Sequence, residues 1–204
     1  MRLVLKFALI LVVGFFSSTR AARAQQVNLY FGFGSAHDSS SGRQINTFGD
    51  GTLYGTPGMG GLFTNFGVNV FITKQVGVGF ERSWRTSQAD YAGLQYRPSF
   101  YHFDAIFQPA KIASRRFSPE FRTGIGGASL HFSFAGQDAC DRVPGCPSSR
   151  YFQTHFAAAA RLYVTDHVFF RPALDIHHVK NFIQFGSNWA SQFSIGVGYG
   201  FGKE

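Results

Sequence analysis

The stretch Gln192-Phe193-Ser194-Ile195-Gly196-Val197-Gly198-Tyr199-Gly200-Phe201 decides the fold. Every odd position carries a large apolar side chain, and every even position carries Gly, Ser or Gln. A period of two is that of a β-strand, here with one apolar face and one small, polar face. A strand of about ten residues, tilted by about 45°, is long enough to cross the hydrocarbon core of a bilayer.

The N-terminal residues point to export. Arg2 and Lys6 flank an apolar run, Leu3 to Phe16, followed by Ser17, Ser18, Thr19 and the small-residue site Ala22-Arg23-Ala24. This pattern predicts a cleaved secretory signal over residues 1–24 and a mature domain over 25–204. An uncleaved anchor is the alternative, but it would leave an unusually apolar soluble domain behind it. The formal charge of +8 includes Arg2, Lys6, Arg20 and Arg23 and no acid from the signal, so removing those four cations leaves +4. The basic balance is thus partly a targeting feature, and nucleic-acid binding is not expected.

Beyond the signal no apolar run reaches the about 18 residues that a spanning helix needs. The 25 Phe, 24 Gly and 45% hydrophobic content instead sit in alternating segments. In lipid every backbone N–H and C=O must be paired internally, so strands can span only as a closed barrel.

Eight such segments can be counted: 27–34, 60–71, 76–84, 95–107, 117–134, 151–164, 167–179 and the closing one. The fifth changes phase. Phe121, Thr123 and Ile125 share the apolar face up to Gly126-Gly127, after which Ala128, Leu130, Phe132 and Phe134 carry the apolar character. A glycine bulge at Gly126-Gly127 is the expectation. The fold class expected is all-β, an eight-stranded antiparallel transmembrane barrel. Its connections alternate in length as such barrels require, with short turns at 72–75 and 165–166 and long loops at 35–59 and 135–150. A soluble lipocalin-like barrel also alternates, but its outer face would need many more charged residues than these polar faces hold.

Projecting the less apolar phase inward collects Glu81, Asp104, Glu120, Arg122, Arg161, Arg171 and Asp175, with His102, His131, His155 and His177. An eight-stranded barrel is just wide enough for side chains to fill it. Four acids and three guanidiniums can pair there, whereas an unpaired ion would be costly. The main expectation is a structural charge network that plugs the lumen; a polar path for small ions is the alternative. The four histidines lie on four segments, with neither H-E-x-x-H nor H-x-H spacing, so the sequence argues for no metal site and no cofactor. In His177-His178 the rings must point to opposite faces, which places His178 at the outer interface beside the last external loop. Trp84 and Trp189, at strand ends, fit an interfacial aromatic belt. Cys140 and Cys146, the only cysteines, are expected to form a local disulfide in an oxidising compartment.

The strand-turn-strand Ala160-Arg161-Leu162-Tyr163-Val164-Thr165-Asp166-His167-Val168-Phe169-Phe170-Arg171-Pro172 and the closing Gly196-Val197-Gly198-Tyr199-Gly200-Phe201 resemble the OmpA-like family of eight-stranded outer-membrane barrels. The first is similar to that family's last periplasmic hairpin, and the second to its C-terminal strand. The resemblance covers the whole mature chain. It implies residence in the bacterial outer membrane, contact with membrane lipid including lipopolysaccharide, passage through the barrel-assembly machinery, a monomer, and roles in envelope integrity, adhesion or ligand contact by the external loops. An outer-membrane lipid A deacylase is also an eight-stranded barrel, with a His-x-Ser-Asn motif whose His activates the Ser. The matching stretch here is His177-His178-Val179-Lys180-Asn181, with no hydroxyl two residues after either His. The expectation is therefore a non-enzymatic barrel with no catalytic residues.

Overall fold

The computed structural model describes residues 26–38, 43–46, 50–110, 112–114, 116–134, 137–138, 149–182 and 185–202. Residues 1–24 and both cysteines lie outside them, so the signal and the Cys140–Cys146 bridge remain sequence expectations. Eight long strands make the barrel: β1 (Gln26–Asp38), β2 (Leu62–Phe71), β3 (Val76–Arg85), β4 (Leu94–Phe107), β5 (Phe117–Phe134), β6 (Ser149–Tyr163), β7 (Val168–Val179) and β8 (Trp189–Gly202). Each pairs antiparallel with its sequence neighbours, and β1 pairs with β8 from Gln26↔Gly202 to Asp38↔Ala190. That last ladder closes the sheet, leaving the spanning wall without an edge strand.

The wall follows the dyad. Along β8, Phe193, Ile195, Val197, Tyr199 and Phe201 are exposed, while Gln192 and Ser194 are buried. Leu29, Phe31 and Phe33 of β1, Phe103 and Phe107 of β4, and Phe170, Leu174 and Ile176 of β7 extend the same apolar exterior. A closed barrel that is apolar outside and polar inside spans a membrane. Among the described residues no helix is long and apolar enough to cross one.

The two shortest turns use one device. Thr73 Oγ1 accepts from the backbone N–H of Gln75 and of Val76, at 3.2 and 3.0 Å, and Thr165 Oγ1 accepts from those of His167 and Val168, at 3.3 and 3.0 Å. A threonine that caps its own turn satisfies donors that the strands leave unpaired. At the opposite end, Ala89–Tyr91 pairs back onto β4 around Ala92-Gly93, whose φ values of 50° and 80° are those of a tight hairpin turn. Loop one carries a short hairpin, Gln44–Ile45 against Tyr54–Gly55, and Arg43 Nη1 donates to the Gly186 carbonyl at 3.2 Å, tying it to the last loop.

The fifth segment corrects the expectation. The registers of β5 with β4 and with β6 run through Gly126 and Gly127 without interruption, from Phe107↔Phe121 to Gln95↔Ser133 and from Leu162↔Phe117 to Ser149↔Leu130. There is no bulge. Ala128, Leu130 and Phe132 stay on the inner face and are buried, while His131, expected inside, is on the outer face and exposed. What changes at Gly126-Gly127 is the content of the lumen, which passes from charged to apolar toward the long-loop end.

Candidate functional site: the barrel lumen

The inner faces of all eight strands converge on two layers of polar groups beneath an apolar lid. The lower layer is organised around Tyr30. Gly67, directly opposite Tyr30 on β2, has no side chain because the phenol ring occupies the space a Cβ would need. The Tyr30 hydroxyl donates to Glu81 Oε2 at 2.7 Å and accepts from Arg122 Nη1 at 2.9 Å. Arg122 also reaches Glu81 Oε2 at 3.0 Å, Glu120 Oε1 through Nε at 3.1 Å, and Asn69 Oδ1 at 3.0 Å. Arg171 Nε donates to Glu120 Oε1 at 2.8 Å, and its guanidinium lies 4.3 Å from the Tyr30 ring centroid. Arg161 stands 3.5 Å from Glu120 Oε2, donates to Tyr163 Oη at 2.8 Å and to Gln26 Oε1 at 3.2 Å, and stacks over Phe71. All of these charged groups are buried, so each charge is balanced by a partner or by an aromatic face.

The upper layer holds the histidines. Asp104 accepts from both His102 Nδ1 and His155 Nδ1, at 2.8 Å each, and His155 Nε2 lies 3.2 Å from Asp175 Oδ1. The two layers meet where Arg122 Nη1 comes within 3.8 Å of Asp104 Oδ2. The seven charged positions projected inward from the sequence thus stand in one continuous chain of contacts. His177 lies above them, its ring stacked on Phe100 with centroids 4.4 Å apart. The lid over this layer is Phe63, Tyr96, Phe100, Leu130 and Phe132, sealed by Met59, Phe182 and Phe185 from the loops.

Sequence reasoning missed three things here. Tyr30 read only as an inner-face residue, although a phenol among small inward residues was the available sign of a hub. The clustering of His102, His155 and His177 had no local signal, because it depends on register: His155 pairs with His177 across β6 and β7, and Gly124 and Gly126 of the intervening β5 let His102 meet His155. The lid was concealed by the apolar character of Ala128, Leu130 and Phe132, which suits lipid as well as a dry interior.

No family model and no curated protein matches the chain. Solved structures do. The chain has the fold of small outer-membrane β-barrels. It is similar to the attachment invasion locus protein Ail of Yersinia pestis, at 13% identity and a TM-score of 0.53, covering 87% of this chain and 99% of that one. Neisserial surface protein A gives 10% identity and a TM-score of 0.57, covering 86% and 96%. OprG of Pseudomonas aeruginosa gives 14% and 0.54, covering 88% and 97%. At these identities the likeness concerns the fold, and the eight-stranded, closed, antiparallel architecture is common to all.

Proposed function

We propose that the chain is a non-enzymatic, non-conducting barrel of the bacterial outer membrane that acts through its outer surface and external loops. The observation that carries this reading is the occupied lumen: paired, buried charges cross the middle and a buried aromatic lid lies at the long-loop end. His177, on which a lipid-hydrolysing reading would rest, is buried inside the barrel against Phe100, away from the acyl chains around the outer wall. No Ser, Thr or Cys stands within two residues of it.

The outer wall has a feature suited to lipid headgroups. Toward the long-loop end of β3, β4 and β5, a shallow concavity is lined by Arg82, Trp84, Arg97, Ser99, Ser129 and His131. Arg97 and His131 are direct cross-strand partners, and the Arg82 guanidinium lies 5.9 Å from the Trp84 ring. Two guanidiniums beside an interfacial tryptophan match the phosphates of lipopolysaccharide at the membrane surface. Ail, of similar fold, has been seen in complex with the heparin analogue sucrose octasulfate, also a polyanion.

The test is conductance. Folded chain inserted into planar bilayers is expected to show no steady open level. Large, stable, weakly selective conductance would overturn the closed-barrel reading in favour of a small-solute pore. Loss of an acyl chain from lipid A on incubation with the folded protein, abolished by His177→Ala, would overturn the non-enzymatic one.

A further inference from the structure

We propose that the upper lumen is a binding site for one divalent transition-metal ion, with His102, His155 and Asp175 as ligands and His177 as the fourth. The donor atoms of His102, His155 and Asp175 lie within 4.8 Å of one another, and all three residues are buried. They come from β4, β6 and β7, and the cluster forms only when these strands pair in register, with Gly124 and Gly126 of the intervening β5 leaving room between His102 and His155.

The hydrogen bonds prepare the imidazoles as ligands. Asp104 takes the Nδ1 side of both rings at 2.8 Å, which leaves Nε2 of each as the nitrogen to ligate; the rings are stacked with centroids 3.6 Å apart, so binding requires them to splay onto one ion. A carboxylate on the far nitrogen of a ligating histidine fixes its tautomer and orientation and raises its basicity. Asp104 is therefore a positioning residue serving two ligands at once.

Independent of this geometry, three atoms beside the cluster have no hydrogen-bond partner among the described residues: Asp175 Oδ2, His177 Nδ1 and His177 Nε2. His177 is 1% exposed, and its ring centroid is 5.0 Å from that of His155 and 5.8 Å from that of His102. A buried imidazole with neither nitrogen satisfied is costly, and rotation of the ring toward its neighbours would give it a bond. Three imidazoles and one carboxylate suit zinc, cobalt, nickel or copper, and not magnesium or calcium, which take oxygen donors. Asp104 and Asp175 face the cluster, and among the described residues the guanidinium in ion-pair reach of them is Arg122, at 3.8 Å from Asp104, so the local field favours a cation.

The competing arrangement is an imidazolium at His155 bridging Asp104 and Asp175 with no metal. Because the lid covers the site, loading belongs to folding. The chain should therefore be refolded in detergent with Zn2+ or Co2+, freed of excess metal by gel filtration, and analysed for metal content and visible absorption. One equivalent of zinc per chain and the intense d–d bands of four-coordinate Co2+ are expected. Asp175→Asn should abolish retention, and Asp104→Asn should weaken it by about 10- to 100-fold. His177→Phe, which preserves the stacking on Phe100, should remove the four-coordinate cobalt spectrum. Each variant is checked for folding by its gel mobility before and after boiling. Zinc well below one equivalent in the folded wild type, or equal retention by folded Asp175→Asn, would overturn the site. Should the variants fail to fold, the wild-type cobalt spectrum decides alone: its absence leaves the protonated bridge.

Discussion

Arg122 and Glu81 form an ion pair of 3.0 Å across the lumen, and the Tyr30 hydroxyl bonds to both. The triangle joins β5, β3 and β1, which are not all neighbours in the wall, so it braces the barrel across its bore. Its energetic weight lies in what removal of one member strands. Burying two charges costs nearly as much as their attraction returns, whereas leaving either one alone in the interior costs the full desolvation.

Arg122→Met should therefore destabilise the barrel by about 3–5 kcal/mol, because Glu81 and Glu120 both lose a buried partner. Adding Glu81→Gln to that variant should cost less than the sum of the two single changes, the sign of a coupled network. Urea unfolding in lipid vesicles, followed by tryptophan fluorescence, reads both. Strict additivity would mean that the two residues do not act as a pair.

The uninterrupted β4–β5 register gives a chemical test. Ser99 and Ser129 face each other on the outer wall with hydroxyls 2.9 Å apart. Directly opposed strand residues are within disulfide reach. The pair Ser99→Cys with Ser129→Cys should cross-link under mild oxidation, while Ser99→Cys with Leu130→Cys should not, since residue 130 points into the lumen. Cross-linking of the second pair alone would restore the bulge at Gly126-Gly127.

That strand also shows what was legible and what was not. Over β1, β2, β3, β7 and β8 the alternation assigned inner and outer faces correctly, because lipid and a charged lumen demand opposite side chains at successive positions. Beyond Gly127 the contrast is reversed: the inner face carries Ala128, Leu130 and Phe132, and the outer face Ser129 and His131. Phe132 under the lid and Phe121 against lipid are chemically the same residue, so the dyad rule could not tell a dry interior from lipid. The polarity of His131 then suggested the lumen, when the long-loop end of the outer wall is where a polar residue meets headgroups. Likewise the charged inner positions could be listed from the sequence, but not their partners, because contacts between non-adjacent strands depend on barrel diameter and stagger.

The cationic concavity on the outer wall should bind lipid phosphate. Arg82→Ala with Arg97→Ala is expected to leave folding intact, since both side chains lie outside the core, and to reduce the lipopolysaccharide retained through detergent purification. Native mass spectrometry measures the retained lipid. The difference from the wild type should shrink at high salt, where screening already weakens the guanidinium–phosphate contacts. Unchanged retention would limit the patch to a solvated rim.

The lid predicts a difference between two phenylalanines on one strand. Phe132 is fully buried against Tyr91 and Tyr96, whereas Phe121 is 51% exposed on the outer wall. Phe132→Ala opens a cavity in a packed interior and should cost about 3–5 kcal/mol. Phe121→Ala leaves a surface that lipid can refill, and should cost clearly less in the same vesicle unfolding experiment. Neither should raise conductance, because Arg122, Arg171 and Glu120 still fill the bore below the lid. Equal costs would place Phe132 against lipid, and a conductance appearing only in Phe132→Ala would make the aromatic lid, rather than the charge network, the seal.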